Sequence, residues 1–115
     1  MGEIKEITAK MMAFREERDW KQFHNHKDVA LSLVLEAAEV LEHFQWKSPE
    51  EVERHGRDSK DDLADELADV AWYLFELAHD LEIDLPQAIA SKMAKNALKY
   101  PVDKCKGRHT KYNKL

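Results

Sequence analysis

Glycine and proline are scarce, at three each in 115 residues, too few to serve the many turns of an all-β fold. No Gly-rich phosphate loop is present, which excludes a P-loop mechanism. The single cysteine, Cys105, cannot form an internal disulfide. No apolar run is long enough for a signal peptide or a membrane span, so a reducing, cytoplasmic setting is expected, with no membrane partner. What remains is rich in helix formers. The expectation is a single all-α domain over residues 1–115, small enough that oligomerisation would add usefully to a thin core.

The formal net charge of −5 conceals an uneven distribution. Residues 101–115 hold Lys104, Lys106, Arg108, Lys111 and Lys114 against Asp103, a basic C-terminal tail of +4 on a body of −9. Such a tail suits the phosphates of a small ligand held over an acidic site. With a negative total and no recognisable nucleic-acid module, a nucleic-acid polymer is not the expected partner.

Hydrophobic periodicity predicts a bundle of four main helices plus a short connecting one. Ile4, Ile7, Met11 and Phe14 form an amphipathic stripe for a first helix within residues 3–20. Asp28 is placed to cap a second helix reaching about Trp46, and Val29–Val40 is apolar nearly all round, which predicts deep burial. Ser48-Pro49-Glu50-Glu51 starts the short helix, which should end near Gly56. Ser59 repeats the cap pattern, and Leu63, Leu67, Val70, Leu74, Leu77 and Leu81 give the third main helix a bundle seam. Leu85-Pro86-Gln87 opens the fourth, which Pro101 must end.

Two acidic repeats stand out, Glu36-Ala-Ala-Glu39 and Glu66-Leu-Ala-Asp69. Spacing of i, i+3 puts each pair on one helix face. If the two helices pack antiparallel with those faces opposed, four carboxylates converge. Each pair then repels by roughly 1 kcal/mol at 4 Å in water and about 4 at an intermediate dielectric. A cation would relieve this, and oxygen ligands without Cys or His favour Mg²⁺ or Mn²⁺ over zinc. Magnesium that keeps several waters usually binds a phosphate-bearing substrate, which points to phosphate chemistry. A di-iron carboxylate protein is the competing metal reading, but it needs two Glu-x-x-His motifs and only Glu76-Leu-Ala-His79 is present. A non-catalytic helical oligomer for protein interaction is the alternative of another class. Trp20 and Trp46 are candidates to stack on a nucleobase, and Tyr73 lies two turns from Glu66 on the same face. Lys92 and Asn96 read by spacing alone as a solvated helix face.

These residues lie in longer strings that resemble a known family. Glu17-Arg-Asp-Trp20-Lys-Gln-Phe23-His24, then Glu36-Ala-Ala-Glu39-Val-Leu-Glu-His-Phe44-Gln-Trp46, Glu66-Leu-Ala-Asp69-Val-Ala-Trp-Tyr73, Asp84-Leu-Pro86, Ser91-Lys92-Met93, Asn96, Tyr100-Pro101 and Lys111-Tyr112 are similar to MazG-like all-α nucleoside triphosphate pyrophosphohydrolases of the dCTP pyrophosphatase branch. The resemblance implies Mg²⁺-dependent hydrolysis of a (deoxy)nucleoside triphosphate, dCTP or a related dNTP, to the monophosphate and pyrophosphate, as nucleotide-pool house-cleaning. It implies a homotetramer, a dimer of dimers. Glu36, Glu39, Glu66 and Asp69 would hold the metal, with Glu39, beside Glu36, as the base-like group. Trp20, Trp46 and Tyr73 would line the base and sugar pocket, and Lys92, Asn96 and Lys111 would meet the phosphates. Where dCTP-preferring relatives tend to carry a histidine nine residues before the first tryptophan, this chain has Met11, so a dNTP is implied more firmly than cytosine.

Overall fold

A computed structural model describes residues 2–115, which form α1 (Glu3–Glu17), a 3-10 turn (Lys21–Phe23), α2 (His26–Glu42), α3 (Pro49–Asp58), α4 (Lys60–Asp80), α5 (Leu85–Lys99), the one-turn α6 (Val102–Cys105) and a final 3-10 turn (Tyr112–Lys114). No strand occurs among the described residues, and none of their helices is long and apolar enough to cross a membrane. Contacts gather the chain into two compact units, one through Glu82 and one from Ile83 to Leu115.

In the first unit, α2 packs chiefly on α4, and α1 and α3 also pack on α4. The central pair is antiparallel. His43, just past the end of α2, approaches Glu66 in the first half of α4. Glu36, two turns earlier on α2, lies near enough to Tyr73 to help raise its hydroxyl pKa, after burial as the larger cause. Val29, Leu33, Glu36 and Val40, at steps of four and three, form a buried and half-buried stripe along α2, flanked by half-buried Ala30 and Ser32. Glu36 therefore sits within an otherwise apolar packing stripe.

Several boundaries and faces differ from those read from sequence. Asn25, not Asp28, caps α2: its side-chain oxygen accepts from the Asp28 backbone N–H, and its amide donates to the Asp28 carboxylate. That helix stops at Glu42, and Trp46 follows in a turn with φ 66°. Left-handed backbone at a bulky residue is strained by an order of 1–3 kcal/mol. Ser48 and Glu51 form the expected reciprocal capping box on α3, which runs to Asp58 and not to Gly56. Ser59 makes no side-chain cap; its hydroxyl faces His55 instead, at 3.4 Å.

The burial of α2 is the main departure. Leu31, Val34, Leu35 and Leu41 are exposed, and so are Leu67 and Leu74 on α4 and Leu81 just past its end, half of the expected seam. The stripe of Glu66, Tyr73 and Glu76 turns inward in their place. Among the described residues, only Met11, Val29, Leu63 and Ala78 are buried apolar ones. Both central helices are thus apolar on two sides, and the single chain covers one.

At the heart of α1 and α4 lies a charged cluster. Arg15 is buried and donates to both carboxylate oxygens of Asp80, at 2.9 and 3.1 Å. Glu76 is wholly buried, with Arg15 Nη1 at 3.8 Å and His24 Nδ1 at 3.0 Å from its Oε2. Neither Glu76 oxygen nor His24 Nδ1 has hydrogen-bond geometry.

In the second unit, Asp84 caps α5 by accepting from Gln87 N–H. Ile89, Met93 and Leu98 are exposed. The tail is more ordered than its composition suggests. Tyr112 packs edge-on against Tyr100, ring centres 6.0 Å apart, and the Lys99 ammonium lies 4.7 Å above its ring.

Candidate active site

α2 and α4 bring together three of the four predicted carboxylates. One oxygen each from Glu36, Glu39 and Glu66 lies within 4.8 Å of the others. Asp69 falls outside that set and is exposed one turn further along α4, though its charge is felt by both Glu36 and Glu66. Helix geometry explains the grouping: Glu36 and Glu39 share a face of α2, and the antiparallel packing lays that face over the first half of α4.

The electrostatics are those of crowded negative charge. Burial pushes the Glu36 carboxyl above its ordinary pKa, and the neighbouring Glu39 adds to the rise. Contact with Glu39 is the largest cause of the rise at Glu66, followed by burial. Glu39 thus stands between the other two. Oε2 of Glu36 and Oε2 of Glu66 are buried without a hydrogen-bond partner. Buried acceptors are ordinarily satisfied, and a hard divalent cation supplies what two orphaned carboxylate oxygens lack. The residues therefore fit Mg²⁺ or Mn²⁺.

Beside the cluster opens a cavity of about 500 Å³ lined by Glu39, Glu42, His43, Lys47, His55 and Glu66. Its histidines were not among the residues singled out from sequence. A signal for His43 was available, since positions 36, 39 and 43 step by three and four along one helix face. His55 carried none, because only the placement of α3 brings it to His43.

The predicted base-binding aromatics are dispersed. Trp20 packs edge-on against Phe14, whose other neighbour is Trp72, and it is partly exposed. Trp46 is 92% exposed and touches little of its own chain. Tyr73 is half-buried next to the acids, its hydroxyl pushed up by burial first and then by Glu36, Glu76 and Asp69. Lys92 and Asn96 are exposed on α5, and Lys111 is exposed beside the anchored Tyr112. All three belong to the second unit. The Glu76-x-x-His79 pair does not form a shared ligand set: Glu76 is enclosed beside Arg15, while His79 is exposed.

Comparison with known proteins places the whole chain in context. The model of the MazG-like family matches residues 31–115. The mouse protein dCTP pyrophosphatase 1 is 41% identical over 114 residues, covering 97% of this chain and 67% of the mouse protein. The human protein of the same name is 38% identical with the same coverage. A pyrophosphatase from Archaeoglobus fulgidus superposes with a TM-score of 0.84 at 36% identity, over 88% of this chain and 94% of the archaeal one.

Proposed function

The chain belongs to the MazG-like family, and from that premise we propose that it is a nucleotide pyrophosphohydrolase that cleaves (deoxy)nucleoside triphosphates to the monophosphate and pyrophosphate. The observation that carries this reading is the convergence of Glu36, Glu39 and Glu66, with two buried oxygens left without partners. Glu36, Glu39 and Glu66 would hold magnesium, with Asp69 as an outlying fourth carboxylate. When bound, the ion supplies neutralisation of charge on the phosphate oxygens. Glu39, exposed in the cavity wall, would take a proton from an attacking water. Tyr73, Trp20 and Trp46 offer rings to a base, and Lys92, Asn96 and Lys111 offer donors to phosphates. The names of the mammalian relatives favour dCTP as substrate; that a related dNTP would also serve, and that the role is cytoplasmic removal of unwanted nucleotides, are further parts of the proposal.

The test is release of pyrophosphate from a panel of dNTPs and NTPs, with Mg²⁺ and with EDTA. Magnesium-dependent pyrophosphate is the expected product. Orthophosphate as the sole product, or no release by folded protein, would overturn the reading.

Assembly into a homotetramer, a dimer of dimers, is part of the proposal. Leu31, Val34, Leu35 and Leu41 leave the outer face of α2 bare, and a patch of that kind ordinarily marks an interface. A second copy would cover this face and could bring further side chains to Trp46 and the acids. Light scattering should give a mass four times the 13.5 kDa of the chain. Leu35→Glu, at a position 59% exposed in the single chain, should lower that mass. An unchanged mass in this variant would move the interface elsewhere.

A further inference from the structure

The cavity wall beside the acids carries a row of polar groups that the proposed reaction leaves without a role. Ser59 Oγ lies 3.4 Å from His55 Nδ1. His55 Nε2 lies 2.8 Å from His43 Nδ1. His43 Nε2 faces Glu66 Oε1 at 4.0 Å. The row spans two helix ends and a turn, linking the start of α4 to its own Glu66 by way of α3 and α2. Phe44 braces it, edge-on to His55 with ring centres 5.9 Å apart.

The chemistry of each link sets the direction of the whole. A carboxylate only accepts, so a neutral His43 facing Glu66 carries its proton on Nε2 and leaves Nδ1 as an acceptor. The 2.8 Å contact then requires His55 to donate from Nε2. Its own Nδ1 becomes the acceptor, and the only neighbour able to donate to it is the Ser59 hydroxyl. With His43 turned this way, the two contacts within hydrogen-bond reach, at 2.8 and 3.4 Å, are both satisfied. At the far end, Glu66 is divided: Oε1 faces the histidine, while Oε2 is buried and unpartnered.

We propose that His43 is a positioning residue, held by His55 and Ser59 so that its Nε2–H orients the Glu66 carboxylate and keeps Oε2 available to a divalent cation. The proposal rests on the reading of the three acids as a cation site. At 4.0 Å the donor is beyond hydrogen-bond reach. A cation held by the three acids would relieve their mutual repulsion, and a small rotation of the Glu66 carboxylate would then bring Oε1 within reach of the donor. Partners one shell away from a metal typically change its affinity 10- to 100-fold when removed.

The experiment is Mn²⁺ binding to the full chain without nucleotide, read from the free-ion spectrum during titration. His43→Leu keeps the bulk and removes the donor; its Kd for Mn²⁺ should rise by roughly 10- to 100-fold. His43→Gln retains an amide that can donate to Glu66 and should recover much of the loss. His55→Phe keeps the packing on Phe44 but cannot orient His43, and its Kd should rise by a smaller factor. A purely structural role would lower the melting temperature without this ordering of affinities. Should His43→Leu fail to fold, His55→Phe decides, and a Kd within twofold of the wild type overturns the proposal. Equal Kd values for the wild type and a folded His43→Leu overturn it while leaving the cation site standing. A folded wild type that binds no Mn²⁺ overturns both.

Discussion

Glu36→Gln and Glu66→Gln should each lose pyrophosphate release by roughly a thousandfold, on the footing that a catalytic divalent ion supplies several kcal/mol of charge stabilisation and each 1.36 kcal/mol is tenfold in rate. The same substitutions should make the metal-free protein more stable. Both carboxyls have pKa values raised in the folded chain, Glu36 by burial and Glu66 by its contact with Glu39. A raised carboxyl favours folding below its unfolded pKa, and that contribution is lost as pH rises through the folded value. In EDTA, the melting temperature of Glu36→Gln should therefore exceed that of the wild type by an amount that grows from pH 4 to pH 7. Saturating Mg²⁺ should reverse the order at pH 7, because the ion binds the wild type more strongly. Loss of activity without the metal-free gain in stability would mean that Glu36 serves packing more than charge.

Arg15→Met should cost roughly 3–5 kcal/mol, the usual penalty for removing one partner of a buried ion pair. Among the described residues, Arg15 is the one cation in hydrogen-bond contact with Asp80, and its guanidinium lies beside the enclosed Glu76. Its removal leaves Glu76 beside His24 Nδ1, 3.0 Å away but without hydrogen-bond geometry. The check is chemical unfolding at fixed protein concentration, since assembly would otherwise shift the midpoint. Adding Glu76→Met to Arg15→Met should restore part of the loss, as apolar groups of similar volume commonly replace buried ion pairs at little cost. No recovery would assign the effect to lost packing of the arginine stem.

Much of this was readable from local pattern. Ser48, Pro49 and Glu51 act through neighbours three residues away, so the start of α3 was legible. The same holds for the end of α5 ahead of Pro101. Glu36 and Glu39 were identifiable because acids in an apolar stripe are uncommon. Period alone failed where two stripes competed. On α4 and just past its end, Leu67, Leu74 and Leu81 have the apolar period, yet Glu66, Tyr73 and Glu76 face inward. Hydrophobic spacing says which residues want cover and not what covers them. The Arg15 cluster and the His43–His55 contact were invisible for a related reason: their partners are 65 and 12 residues apart in sequence, and only tertiary packing joins them.

The bare face of α2 also bears on how this protein behaves when diluted. A chain with four buried apolar residues among those described has little reserve of its own, and its proposed assembly ties folding to mass action. Its melting temperature should climb with total protein. Specific activity should fall at the lowest enzyme concentrations, as subunits part before any peptide bond or side chain has changed.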